Sequence, residues 1–421
     1  MKTTYLLLCL LGIGSVSGAG QTKQPQKIGD FIESTSYNEH RRNATRSLQY
    51  TPDGDDFVCI NGKNRFTRAL YGSHTAFRLE TSDRPVFAAY TKENPKHICF
   101  KLQTSGGTVA LDSTEHCESR YTAGRRSYSL SDPAFGGGSL SITTWALPDK
   151  EGAIWQFNAR NFKEFHPVLL ASISEIRNSK LNRNGDMGAD PADSFEAPLQ
   201  PQQLQSFPVQ IDGTLYMLLE NQELRTLTTA EGENLFKKAE AARSETASRI
   251  RIETPDPYFN TLGGTLAMAA DGIWDGEVWL HGAIGWRMPL SGWRAAYTGD
   301  VLGWHDRART HFNAYAASQV TEVPNTLPHP AQDSALHLAR SVKKWGTPQY
   351  SNGYICRNPH RNNQMHHYDM NLCYIDELLW HFKWTGDLDY VRQMWPVITR
   401  HLAWEKLNYD PDNDGLYDAY A

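Results

Sequence analysis

The chain has 421 residues, 40 % of them apolar and 21 % charged, enough for a sizeable core and for two or three domains. A formal net charge of −5 supplies no basic field, which argues against nucleic acid or an anionic membrane surface as a partner. The sequence has no HExxH, GxSxG, phosphate-loop or dinucleotide fingerprint, which disfavours zinc proteases, α/β-hydrolases and nucleotide enzymes.

At the N-terminus, Lys2 precedes an apolar run over residues 5–13 and small residues over 15–19. That layout predicts a secretory signal peptide (residues 1–19) cleaved near Ala19, too short to span a bilayer. No later segment approaches membrane-spanning length, so the mature chain is expected to be exported, periplasmic or secreted, without a membrane span. Cys9 lies in the leader without a lipobox; Cys59, Cys99, Cys117, Cys356 and Cys373 remain. An odd number without CxxC spacing argues against a zinc cluster or redox motif. Cys99 and Cys117 are the easiest disulfide pair to imagine in an oxidising compartment, with buried free thiols as the alternative. Asn43 opens an Asn-Ala-Thr glycosylation sequon, relevant in a eukaryotic secretory host.

The first half reads as strands and turns. "FVCING", "HICFKLQ", "GTVALD", "SLSITTWAL", "AIWQFNAR", "PVLLASIS" and "TLYMLLE" are short β-branched and aromatic runs separated by Gly, Pro, Asp and Asn clusters. Their number and spacing predict a β-sandwich domain over residues 28–229. Residues 179–203 read as a long polar loop. Residues 230–254 are Ala-, Glu- and Lys-rich and poor in apolar surface, as a linker helix would be, and "TPDPYFN" ends them.

Composition changes near residue 255, beyond which lie ten of the twelve Trp and ten of the fifteen His. Tyr374, Ile375, Leu378, Leu379 and Phe382 recur with helical period, as do Val391, Met394, Trp395, Ile398 and Leu402. Between them Gly386 can end one helix and Asp387 can cap the next, which predicts an αα-hairpin. "NTLGGTLAMAADGIW" and "YTGDVLGWHDRARTHFNAYAAS" predict an earlier pair.

The segment 271–300, "DGIWDGEVWLHGAIGWRMPLSGWRAAYTGD", concentrates carboxylates, Arg and Trp. A sugar needs that mixture: its C–H face stacks on Trp, its hydroxyls need polar partners, and hydrolysis needs two carboxyls. Glu277, Asp275 and Asp271 are the candidate catalytic acids; turn capping is the structural alternative for Asp275 and Glu277. Trp274, Trp286, Arg287, Trp293 and Arg294 are candidate substrate contacts, with Arg stacked on Trp in a buried corner as the competing reading. Asp300 joins that set, although helix capping is its simplest role. His366, His367 and Asp369 precede a helix and are candidate pocket-lining residues, with helix capping as the alternative for Asp369; no third group has metal-like spacing. Asp376 and Glu377 are expected on the outer face of that helix. Asp410, Asp412, Asp414 and Asp418, with Gly415, match the opening of a calcium loop, but Ala421 stands where its bidentate Glu belongs. No other cofactor is suggested.

With these pieces in view, "TPDPYFN", "YTGDVLGWHDRARTHF", the helix–"WTGD"–helix phrase and "YDPDNDGLYD" resemble the six-hairpin glycosidases, including α-L-rhamnosidase-like and β-L-arabinofuranosidase-like enzymes. The resemblance covers residues 255–421. It implies a β-sandwich followed by an all-α (α/α)6 toroid, of which only the first helices are expected within this chain. It also implies an exported glycoside hydrolase acting on plant or other complex polysaccharide or oligosaccharide by a two-carboxylate mechanism. Ser291, Gly292 and Trp293 stand where rhamnosidase-like enzymes carry their acidic pair, with Arg294 retained, so the proton donor must come from another position. The alternatives are a non-catalytic carbohydrate-binding protein or a fragment of such an enzyme, and a polysaccharide lyase working through Tyr, His and Arg.

Overall fold

The computed structural model describes residues 50–63, 68–72, 77–90, 95–148, 150–162, 167–176, 205–211, 213–282, 288–321, 332–333, 338–339, 352–362, 369–410 and 413–417. Gln49–Ala421 cluster as one unit. The signal peptide, the Asn43 sequon, the polar loop 179–203, Trp286, Arg287, His366, His367, Asp412 and Asp418 lie outside the described residues.

In chain order the strands begin β1 (Thr51–Asp53), β2 (Asp56–Ile60), β3 (Arg68–Tyr71), β4 (Arg78–Thr81), β5 (Val86–Tyr90), β6 (Lys96–Thr104) and β7 (Gly107–Ala110). They continue with β8 (His116–Thr122), β9 (Arg125–Ser131), β10 (Ser139–Ala146), β11 (Gly152–Arg160), β12 (Val168–Glu175), β13 (Gln205–Gln210), β14 (Thr214–Glu220) and β15 (Glu223–Leu227). One sheet runs β1-β2-β8-β9-β10-β11-β14-β15, and the other β13-β12-β6-β5-β4-β3 with β7 paired to β6. Pairing is antiparallel, with Trp155 opposite Thr144 and Met217, and Phe100 opposite Ala171.

Alternation along these strands sends one set of side chains between the sheets. From β9, β10 and β11 come Tyr128, Leu130, Leu140, Ile142, Trp155 and Phe157; from β5 and β6 come Phe87, Ala89, Ile98, Phe100 and Leu102. Phe87 meets Trp155 edge-on at 5.5 Å, and Phe100 meets Phe157 at 5.0 Å, so aromatic edges lock the two inner faces together. Arg126 belongs to the same inward set and is fully buried. It donates to Tyr50 Oη at 2.7 Å, Ser82 O at 2.9 Å and Ser119 Oγ at 3.3 Å, 3.9 Å from the buried Asp83 carboxylate, to which Tyr50 also donates. Cys59, Cys99, Cys117, Cys356 and Cys373 are free thiols.

Helix α1 (Thr229–Ala247) starts at a reciprocal capping box between Thr228 and Glu231. It is more than a linker. Phe236 packs on Trp145 and Tyr216, and a Cβ on Gly232 would lie 2.2 Å from the Tyr216 ring, so the helix lies against the outer face of the eight-stranded sheet.

The helices that follow are α2 (Pro257–Asn260), α3 (Leu262–Gly272), α4 (Tyr297–Val301), α5 (His305–Ala316), α6 (Asp369–Thr385) and α7 (Leu388–Tyr409). Short strand pairs intervene: β16 (Leu280–His281) with β17 (Met288–Pro289), and β18 (Gln332–Asp333) with β19 (Leu338–Ala339). The expected fold class, a sandwich leading into an all-α toroid, is therefore corrected. Antiparallel sheet dominates the structure, and its helical part is a small group of helices, two of them about one turn long. The helical period over 374–402 is real and produces the α6–α7 hairpin. One hairpin says nothing about the further pairs that a toroid would require.

The candidate active site

Around residue 274 the chain folds back tightly. Asp275 Oδ1 accepts from the Glu277 and Val278 amides at 2.9 and 2.7 Å, while Gly276 takes φ +100°. This turn stacks Trp274 on Trp279 at 4.6 Å and leads into β16 and β17. Asp275 thus has its capping role, and its carboxylate stays at an exposed position.

Next, residues 291–294 press onto the start of α6. A Cβ at Gly292 would stand 1.8 Å from the Met370 carbonyl oxygen, so only glycine permits the approach. Arg294 follows at φ +63°, an uncommon value for a residue with a Cβ. Its backbone amide and guanidinium act on Glu377 of α6.

Glu377 is the most unusual group in the region. It is 2 % exposed, and neither carboxyl oxygen has a partner at ordinary hydrogen-bond geometry. Burial, then the neighbouring Asp376 charge, holds its pKa well above the ordinary glutamate range, so the carboxyl is kept protonated. The expectation of an outward Glu377 is corrected. Buried Met370, Tyr374, Glu377, Leu378 and His381 mark the inner face of α6, whereas Leu379 and Trp380 point outward. Asp376 is exposed, as expected, and receives the Tyr297 hydroxyl.

From α5, one turn apart, come His311 and Tyr315. The Trp279 amide donates to His311 Nδ1 at 3.2 Å, and burial lowers this imidazole to about 3, leaving it neutral. The Tyr315 hydroxyl is buried, and desolvation, then the Asp275 charge, holds its pKa well above the ordinary tyrosine range.

The rim is polar and aromatic. Trp293 is 48 % exposed and meets His281 edge-on at 4.3 Å. Glu277 pairs with His360 Nε2 at 2.6 Å, and Arg357 Nη2 approaches Met288 Sδ at 3.0 Å.

Other candidates fall elsewhere. Asp271 is buried in an ion pair with Arg307 at 2.7 Å, and Trp274 is buried core beneath the same guanidinium. Asp300 lies in the first turn of α4 rather than at its cap. Its buried Oδ1 is 2.7 Å from His305 Nδ1 and 2.9 Å from His381 Nδ1, so it ties α4 to α5 and α6. Asp369 is the first residue of α6. Asp410 and Asp414 accept from the Gly415 and Leu416 amides, as turn residues do. Among the described residues no group of three His, Cys, Asp or Glu is arranged to hold a metal.

Sequence reasoning missed Glu377, Tyr315 and Arg357. Two acidic residues side by side, Asp376 and Glu377, look like solvated surface. Only the phase of α6, set by Tyr374, Leu378 and His381, turns the second of them inward.

A family model described as a domain of unknown function, DUF4450, matches residues 95–250. That stretch spans most strands of both sheets and α1, and excludes the cluster around Glu377. No curated protein matches the chain. No helix among the described residues is long and apolar enough to cross a membrane.

Proposed function

We propose that the protein is an exported glycoside hydrolase acting on complex polysaccharide or oligosaccharide, with Glu377 as proton donor and Asp275 as the second carboxyl group. The observation that carries this reading is the Glu377 carboxyl, 2 % exposed beneath the 291–294 loop, where the Arg294 backbone amide and guanidinium face it. A glycosidic oxygen must be protonated as it leaves, and a carboxyl kept neutral by burial can supply that proton. Cleavage also needs an ionised carboxylate to meet the oxocarbenium-like transition state or to activate water. Asp275 is held in place by the Glu277 and Val278 amides. Trp293 offers a ring for the sugar's C–H face.

Tyr315 favours hydrolysis over elimination. Its hydroxyl is held protonated well above the ordinary tyrosine range, which makes it a poor base for abstracting a proton from a uronide. Glu277 at the rim is the alternative second carboxylate, so the Asp275→Asn and Glu277→Gln variants are to be measured side by side.

The test is release of reducing sugar from a polysaccharide panel by wild type and Glu377→Gln, with binding measured by calorimetry. The variant should lose about 10²-fold or more in kcat while still binding glycan. Undiminished turnover would remove Glu377 from the chemistry; binding by wild type without any turnover would leave a carbohydrate-binding protein. N-terminal sequencing of the mature protein tests export, with a start near residue 20 expected.

A further inference from the structure

Among the described residues the site contains a cation, Arg357, that pairs with no carboxylate. Arg357 is half-buried at the end of a pinned stretch of backbone. Gly353 N donates to Val320 O at 2.7 Å, Val320 N to Tyr354 O at 2.8 Å, and Ile355 N to Asn371 Oδ1 at 2.7 Å. Ser318 Oγ donates to Cys356 O at 3.2 Å, and on the far side His360 N donates to Ala314 O at 3.0 Å. Backbone fixed on both sides limits where this guanidinium can go.

The hydrogen-bond partner it has among the described residues is a weak one, the Met288 thioether at 3.0 Å. Elsewhere in the same half Arg307 holds Asp271, Arg309 holds Asp387 and Arg392 holds Asp389, while Arg249 and Arg400 donate to the neutral oxygens of Leu302 and Gln319. Arg357 holds no carboxylate among the described residues. Met288 pairs with His281 across β16 and β17, and the His281 ring meets Trp293 at 4.3 Å, which sets the guanidinium at the same rim.

We infer that Arg357 receives the carboxylate of an acidic sugar, so that the substrate class is a uronate-containing glycan. This rests on the hydrolase reading for the identity of the site, not for the recognition chemistry. A guanidinium presents paired N–H donors that match a carboxylate, whereas a neutral sugar would desolvate the cation and leave it unpaired.

The experiment is calorimetry on the full chain carrying Glu377→Gln, so that turnover does not interfere. The probes are trimers of galacturonate and of glucuronate, each beside its carboxyl-reduced counterpart. At least one acidic trimer should bind about tenfold or more tightly than its reduced form. Adding Arg357→Gln should erase that preference and weaken the reduced trimer less than twofold, while Arg357→Lys restores part of it. Thermal unfolding of each variant checks that the fold is intact.

Equal binding of acidic and reduced trimers overturns the inference, as does a preference that survives Arg357→Gln or the absence of binding by every acidic trimer. An equal gain from a sulfated neutral trimer also overturns it, by making Arg357 a general anion contact. Arg357-dependent binding of uronate without hydrolysis by the wild type would leave this inference standing while the hydrolase reading falls. Glu377-dependent hydrolysis of neutral glycans without uronate preference would do the reverse.

Discussion

Glutamine at position 377 keeps nearly the shape of the protonated glutamate and removes only the proton that titrates. The native carboxyl has a pKa well above its unfolded value, because burial leaves no solvent to stabilise the anion. The sign follows from proton counts. Between the ordinary glutamate pKa of about 4.5 and the raised native one, the folded state holds a proton that the unfolded chain has released. The stability carried by the neutral buried carboxyl is therefore fully present below about 4.5 and is lost as pH rises through that window. The slope for one proton is about 1.4 kcal/mol per pH unit within that window. Urea unfolding of wild type and Glu377→Gln at a series of pH values should show the variant gaining on wild type at that slope above pH 4.5. A stability difference independent of pH would mean that the carboxyl is already ionised in the folded protein, and the argument for a proton donor would fail.

His311 has the opposite sign. Its folded pKa of about 3 lies below the ordinary 6.5, so the unfolded chain alone takes up a proton as pH falls through that window. Stability should drop by about 1.4 kcal/mol per pH unit there, and in His311→Gln this contribution should vanish from the acid limb of the unfolding curve. Gly292→Ala forces a Cβ against the Met370 backbone oxygen, which cannot move aside cheaply. It should cost about 3 kcal/mol in urea unfolding and change the fluorescence of the exposed Trp293; an unchanged midpoint would contradict the close approach. Arg126→Met leaves Asp83 buried beside an apolar side chain and should destabilise the β domain by about 3–5 kcal/mol. Arg126→Met with Asp83→Asn should recover part of that loss, and no recovery would argue against the pairing.

Much of the β domain is legible because apolar alternation writes it plainly. "SLSITTWAL" lies in β10, "AIWQFNAR" in β11 and "TLYMLLE" in β14. Strands β8 and β9 escape the same reading, because "HCESRYT" and "RRSYSLS" combine a solvated outer face with inward Ser119 and Arg126. A buried arginine is invisible until its partners Tyr50 and Ser82 are brought to it from other parts of the chain. Helix α1 announces its start through Thr228 and Glu231, yet its use as a cover for the sheet depends on Trp145 and Tyr216, far away in sequence. At the site, the stretch around Trp293 and Arg294 is legible as a place rich in binding chemistry. Its acid is not, because Glu377 is contributed by a helix more than eighty residues later and is inward by the phase of that helix alone. The expected toroid failed for a related reason: local period specifies a hairpin, and the number of hairpins is a long-range property.

The central claim is that a carboxyl protonated by burial does the chemistry, and kcat of Glu377→Gln against wild type on a cleaved glycan tests it most directly. A loss of about 10²-fold or more with glycan affinity retained is the predicted result. Turnover within a factor of two of wild type would contradict it.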